Sequence, residues 1–272
     1  MQYNDSMAKI IGFVNQKGGV GKTTSTINVA RYLAEFGKRV LLVDLDPQGN
    51  ASSGLGIDAR RLEKNLYHAM ILGLPPQDII LRTETENLHI IPAAQDLAGA
   101  EIEMVHIDSR EFRLRNVLRQ VSPYYDYILI DSPPSLGLLT INGLVASDEV
   151  VIPVQTEYYA LEGLSQLLGT IELVREHLQP NLKIGGALLT LFDRRNRLSR
   201  QVVSEVQTHF PGPVFESVIP RSVRLAEAPS FGKSILDFDA LSKGARAYKN
   251  VAKEIIEREA EEQKQLAKPK IV

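Results

Sequence analysis

The sequence predicts a single doubly wound α/β domain, with a mostly parallel sheet flanked by helices. Three observations carry this. Short, near-continuous apolar runs alternate with stretches of helical periodicity, as strands covered on both faces require. The first run ends in a glycine-rich turn that opens a helix. The 272 residues suffice for one large core, and no internal repeat or Pro-, Gly- or Ser-rich linker divides them.

Residues 9–14 form the first strand. Residues 23–36 place Ile27, Ala30, Tyr32, Leu33 and Phe36 close to helical spacing, and Gly37 stops that helix. Strands follow at 39–44, 126–131, 149–154 and 183–191, with 214–218 as a candidate sixth. Helical patterns lie between them at about 110–121, 136–146, 160–177 and 197–209, giving the βαβ alternation of a doubly wound sheet. From about Leu241 the chain turns polar and helix-prone. It is expected to pack as a helix and then fray, with 268–272 disordered. The domain is expected over 8–262, between a disordered extension at 1–7 and a flexible tail at 263–272.

Composition excludes several classes of function. Lys plus Arg is 31 against 33 Asp plus Glu, a net charge of −2, so any nucleic-acid contact must come from a local patch. With no cysteine there is no disulfide, thiolate zinc site or cysteine-held iron–sulfur cluster. The 5 histidines are scattered, with no HExxH pair. No apolar run is long enough to span a membrane, and the polar N-terminus lacks the apolar stretch of a secretory signal. A cytoplasmic protein is the expectation.

The strongest motif is the stretch from Asn15 to Thr24, NQKGGVGKTT, between a strand and a helix. Glycines let backbone N–H groups converge on a polyphosphate without Cβ clashes, and the helix N-terminus adds its positive end. Lys22 can reach the β- and γ-phosphates, and the Thr23 hydroxyl can ligate Mg²⁺. The strict pattern GxxxxGK(S/T) fails at its first position, which is Gln16. An extra lysine, Lys17, stands at the head of the loop, five residues before Lys22, where it cannot easily reach the same phosphates.

Hydrolysis also needs a carboxylate near the metal and a group that orients water. Asp44 and Asp46 follow the second strand, and Asp131 ends the third. In an open α/β sheet the carboxyl ends of the strands face the ligand, so all three should converge on the loop. Asp131 reads as the Walker B acid, Asp46 as the residue that positions water. Asp44 reads as support for the metal shell or for the Thr23 hydroxyl.

The loop with its extra lysine resembles the deviant P-loop of the class that includes ParA, MinD and the nitrogenase iron protein. The resemblance narrows with LLVDLDPQGNASSGLG (41–56), DYILIDSPPSLG (126–137), LTLFDRRNRLSRQV (189–202) and VIPRSVRLAEAPSFGKSI (218–235). These blocks, with IPAAQDLAGAEIE (91–103), closely resemble ParA/Soj partitioning ATPases over roughly 8–257. The resemblance implies a P-loop ATPase that uses ATP, yields ADP and requires Mg²⁺. It implies a face-to-face, ATP-dependent homodimer in which Lys17 acts in trans on the partner's nucleotide. It also implies sequence-independent binding of double-stranded DNA by the dimer. A ParB-type centromere-binding partner would stimulate hydrolysis and release, so that replicated origins are moved and spaced over the nucleoid.

Residue by residue, Lys17 matches the signature lysine. Gly18, Gly19, Val20, Gly21, Lys22, Thr23 and Thr24 match the phosphate loop, Asp46 the hydrolytic aspartate and Asp131 Walker B. Pro220 and Arg221 match the segment that lines adenine. Arg195 and Arg224 match DNA-contacting arginines, and Lys233 and Lys243 join them as candidates. Arg194, Arg197 and Ser222 depart from the family pattern. The first two add positive charge, and the third leaves the adenine contact there open.

Residues 190–250 carry ten basic and six acidic side chains, a local excess of positive charge in a chain of net charge −2. Phosphate contact needs only cations within reach. No stripe of aromatics suggests base stacking. The competing reading is a MinD-like membrane-cycling ATPase, which needs a basic amphipathic C-terminal helix. Here Val251, Ile255, Ile256 and Leu266 lie among Glu257, Glu259, Glu261 and Glu262, which an anionic leaflet would repel, so no membrane partner is expected. A biosynthetic P-loop ligase would need a small-molecule pocket, of which the sequence gives no sign.

Overall fold

The computed structural model describes residues 7–157 and 162–266. Strands β1 (Lys9–Phe13), β2 (Val40–Asp44), β3 (Leu81–Arg82), β4 (Leu88–Ile91), β5 (Tyr127–Asp131), β6 (Glu149–Gln155) and β7 (Lys183–Thr190) form one sheet in the order β3-β4-β2-β5-β1-β6-β7. Every pairing is parallel except β3 with β4. The fold is therefore the doubly wound sheet that the sequence predicts.

The strands read as continuous apolar runs because alternate side chains enter different cores. In β2, Val40 and Leu42 join one cluster, and Leu41 and Val43 another. In β5, Tyr127 and Leu129 pair with the first cluster, Ile128 and Ile130 with the second. Helix α1 (Lys22–Glu35) supplies Ile27, Ala30 and Leu33 to the first core. A third core joins β6 and β7 to α7 (Glu162–His177) and α8 (Arg197–His209).

The remaining helices are α2 (Asn50–Gly54), α3 (Leu66–Met70), α4 (Leu97–Glu103), α5 (Arg113–Arg119), α6 (Leu138–Ala146), α9 (Val223–Glu227), α10 (Ile235–Asp239) and α11 (Lys243–Leu266). The helix expected at 110–121 opens with a single 3-10 turn at Arg110–Phe112 before α5. The expected tail helix is α11. The expected extension lies outside the described residues except for Met7, as do 267–272 and the expected start of α7 at 160.

One predicted strand is corrected. Residues 214–218 make no ladder, only isolated parallel bridges between Val214 and Ala187 and between Pro220 and Phe192. Pro213 and Pro220 have no N–H to donate. The Val214 carbonyl accepts from Arg258 of α11, and the Glu216 N–H donates to Glu254. The Phe215 N–H still donates to the Ala187 carbonyl of β7, but Val214 and Glu216 turn to α11, so no continuous ladder forms.

Candidate active site

The carboxyl end of β1 runs into the glycine loop, which side chains tether on both sides. Asn15 Nδ2 donates to the Pro153 carbonyl of β6 at 2.7 Å, and its Oδ1 accepts from the Lys17 N–H at 2.9 Å. Gln16 Nε2 donates to the Gly163 carbonyl at 2.9 Å, so the residue that breaks the strict pattern ties the loop to α7. The Thr190 hydroxyl of β7 donates to the Val20 carbonyl. Gly19 and Gly21 take φ values of 73° and 88°, which L side chains adopt only under strain. No side chain caps the start of α1, so its positive end is left for an anion.

The two loop lysines differ. Lys22 is buried, and its ammonium donates to the Lys17 carbonyl at 3.1 Å. Burial lowers its pKa, against the opposing pull of Asp131 and Asp46. The Lys17 side chain is half-buried, and among the described residues its ammonium has no hydrogen-bond or ion-pair partner.

The three predicted carboxylates come together at the ends of β2 and β5. Asp131 Oδ1 accepts from the Thr26 hydroxyl at 3.2 Å, while its Oδ2 is buried without a hydrogen-bond partner. Burial and the neighbouring Asp44 charge raise the Asp131 pKa, with Thr23 and Lys22 opposing. Asp44 Oδ2 accepts from both the N–H and the hydroxyl of Ser52, at 2.8 and 2.7 Å, and Oδ1 accepts from the Asp46 N–H. Its carboxylate therefore organises the turn from 44 to 52. Burial again raises its pKa against those hydrogen bonds. Asp46 is buried and accepts from the Gln48 N–H at 3.0 Å.

This donor set fits a magnesium ion shared with phosphate. Among the described residues no cluster of three or more His, Cys, Asp or Glu side chains could hold a metal by itself. Mg²⁺ characteristically takes one or two protein oxygens and completes its shell with phosphates and water. The Thr23 hydroxyl and the unpartnered Asp131 Oδ2 are the available oxygens.

A cavity of 420 Å³ opens beside the loop. Gly18, Gly19, Gly21, Lys22, Thr23, Thr24 and Asp46 line one side, and Leu191, Ile219, Ser222, Leu225, Pro229 and Tyr248 another. Pro220 and Arg221, expected along the base, are not among its lining residues. Pro220 bridges to Phe192, and the Arg221 guanidinium donates to Glu157 at 2.6 Å. Ile219 and Ser222 take their place in the wall. The sequence reading missed Thr26, Ser52 and the tethers of Asn15 and Gln16. Thr26 lay within reach, one helical turn beyond Lys22. The tethers of Asn15 to β6 and of Gln16 to α7 carry no local signal, because those carbonyls lie more than a hundred residues away.

The predicted basic residues divide. Arg195 is almost fully exposed and leans on Asp193 at 3.4 Å. Lys233 and Lys243 are exposed, with no ion-pair partner among the described residues. Arg224 is committed within the chain: it meets Asp239 at 2.9 Å and Glu227 at 3.2 Å, with its guanidinium 4.9 Å from the Phe238 ring centroid. Among the described residues no helix is long and apolar enough to cross a membrane.

Comparison with known proteins agrees with this geometry. Residues 8–184 match the AAA domain family. The sporulation initiation inhibitor protein Soj of Bacillus subtilis is 57% identical over 249 residues, covering 92% of this chain and 98% of that protein. The chromosome partitioning protein ParA of Myxococcus xanthus is 53% identical, covering 93% of this chain and 90% of that protein. Among solved structures, cobyrinic acid a,c-diamide synthase of Mycobacterium smegmatis with bound ADP and magnesium superimposes with a TM-score of 0.82. It is 38% identical, with 92% and 94% of the two chains covered. The septum site-determining protein MinD of Pyrococcus horikoshii, complexed with Mg-ADP, gives a TM-score of 0.75 at 27% identity, with 92% and 96% covered.

Proposed function

The chain belongs to the ParA/Soj family of chromosome-partitioning ATPases, and on that premise we propose that it is an ATP-driven DNA-segregation switch. ATP closes a face-to-face homodimer. The dimer binds duplex DNA without reading sequence, and hydrolysis releases it. A ParB-type centromere-binding partner stimulates that hydrolysis, so that replicated origins are moved over the nucleoid within the cytoplasm.

In this reading the backbone of Gly18–Thr24 and the start of α1 cradle the phosphates. Lys22 leaves the Lys17 carbonyl to neutralise the β- and γ-phosphates. Thr23 and Asp131 would hold Mg²⁺, which would supply charge neutralisation for the phosphates. Asp44 reaches this shell through the turn it holds rather than as a direct ligand. Asp46 orients a water whose oxygen attacks the γ-phosphorus as the bond to the β-phosphate oxygen breaks, giving ADP and phosphate. Lys17 crosses the interface to the partner's nucleotide. The adenine lies against Ile219, Ser222 and Leu225, with Pro220 and Arg221 shaping that segment from behind. Arg195, Lys233 and Lys243 meet DNA phosphates.

The observation that carries the proposal is the pairing of a sequestered lysine with an unsatisfied one in a single loop. Lys22 serves its own cavity, and among the described residues Lys17 has no partner. The test is Mg²⁺-dependent ATP turnover by the wild type and by Asp46→Ala, with and without duplex DNA. Turnover by the wild type, with none by an Asp46→Ala chain that still retains ATP, is expected. Equal turnover by both would show that another group orients the water.

A further inference from the structure

Ser52, the third residue of α2, has no solvent exposure and is not among the residues that line the cavity beside the glycine loop. Its hydrogen bonds nevertheless lead to the turn that carries Asp46. The hydroxyl donates to Asp44 Oδ2 at 2.7 Å, and the Ser52 N–H donates to the same oxygen at 2.8 Å. The hydroxyl oxygen accepts in turn from the Ala93 N–H at 3.3 Å. A hydroxyl has one proton and two lone pairs, so it can serve both partners at once. The other oxygen of Asp44, Oδ1, accepts from the Asp46 N–H at 3.3 Å. A continuous path of hydrogen bonds therefore runs from Ala93, just past β4, through Ser52 and Asp44 to the backbone of Asp46.

Asp44 is completely buried, so its carboxylate depends on donors that the protein supplies. Among the described residues three donors reach it, and two of them belong to Ser52. The turn beyond Asp44 is compact. The Gln48 N–H donates to Asp46 Oδ1 at 3.0 Å, and the Gly49 N–H to the Asp46 carbonyl at 2.9 Å. Gly49 takes a φ of 63° and sits so close to Ala93 that a Cβ there would lie 3.1 Å from the Ala93 carbonyl oxygen. The turn is thus joined to the end of β4 twice, by close packing at Gly49 and by the Ser52 hydroxyl. Asp46 lines the cavity with Lys22 and Thr23, so this turn sets where its carboxylate stands.

We propose that Ser52 is a positioning residue for hydrolysis: through Asp44, its hydroxyl fixes the Asp46 backbone so that the Asp46 carboxylate meets the attacking water. The inference rests on the hydrolytic reading of Asp46 above. Ser52 touches neither phosphate nor metal in this account. Its effect is confined to geometry, where an error of about 1 Å at the reacting atoms can cost about 100-fold in rate. ATP binding and dimer closure rest on Gly18–Thr24 and Lys17, with which Ser52 shares no hydrogen bond, so both survive its loss.

The test is steady-state ATP turnover by the full chain and its Ser52 variants, with titration of a fluorescent ATP analogue and thermal unfolding to confirm that each variant is folded. Ser52→Ala removes the hydroxyl and keeps the N–H. Its kcat should fall about ten-fold, the order expected for one hydrogen bond to a charged group. KM and analogue affinity should not change, as for an interaction made only in the transition state. Ser52→Thr keeps the hydroxyl and should restore kcat. Ser52→Cys keeps a weak donor and should fall between, which carries the test if the alanine variant does not fold. Combined with Asp46→Ala, Ser52→Ala should add no further loss in single-turnover rate, because its effect passes through that side chain. Wild-type kcat in Ser52→Ala and Ser52→Cys, with Asp46→Ala inactive, would overturn this inference alone. So would an equal loss in the threonine variant, a further loss in the double variant, or a change confined to KM and affinity. Equal turnover by the wild type and Asp46→Ala would overturn the hydrolytic reading with it.

Discussion

Lys17 and Lys22 carry the same charge five residues apart, and their surroundings decide what each can do. Lys22 is buried between Asp131 and Asp46, where its ammonium is costly to hold and any arriving phosphate improves its situation. Lys22→Ala should therefore lose nucleotide binding, measured with a fluorescent analogue, and unchanged affinity would refute the loop assignment. Among the described residues the Lys17 ammonium has no partner. Lys17→Ala should keep some nucleotide affinity but sediment as a monomer with ATP, and a dimer would overturn the trans role. Asp46→Ala should lower turnover at least about 100-fold, the range for a misplaced general base or water, without losing ATP. The loop and its acids were legible because glycine, lysine and aspartate at strand ends have few other uses together. The fixing of that loop by Asn15 and Gln16 was not, because a side chain bonding to a distant carbonyl leaves no pattern in sequence.

Strands buried on both faces were read correctly at β1, β2, β5, β6 and β7, where an unbroken apolar run has one simple explanation. β3 and β4 escaped notice. β3 is two residues long, and His89 interrupts the apolar run of β4. Residues 214–218 were read as a strand because side-chain character says nothing about which backbone groups can pair, and two prolines withhold theirs. At the amino end of β5, Asp126 accepts from the Arg39 N–H at 2.7 Å and from its guanidinium at 2.9 Å. Burial raises the Asp126 pKa, but the Arg39 hydrogen bonds and charge outweigh it, so the folded value lies below the usual one. A depressed carboxylate contributes its stability above the unfolded pKa and loses it as pH falls through the folded one. Asp126→Asn should thus melt roughly 2–4 °C lower at neutral pH, for a loss of about 1 kcal/mol. The gap should close as pH falls below the ordinary carboxylate range. A gap independent of pH would mean that Asp126 acts by shape alone.

Across the whole molecule, α1 joins the phosphate loop to α10 and α11. Its amino end is the phosphate loop. Its Ser25 hydroxyl meets Tyr248 of α11 at 3.0 Å, and Asn28 and Arg31 hold α10. A chain of net charge −2 would approach DNA only where its cations are gathered, as they are in residues 190–250. One copy offers a small patch, and in the proposed dimer two copies closed over a pair of nucleotides would double it. The measurement that tests this most directly is size-exclusion chromatography with light scattering on Asp46→Ala, with ADP, with ATP, and with ATP plus a duplex. A monomer with ADP, a dimer with ATP and a dimer carrying DNA only with ATP are predicted. A monomer that retains the duplex equally with ADP and with ATP would contradict the account.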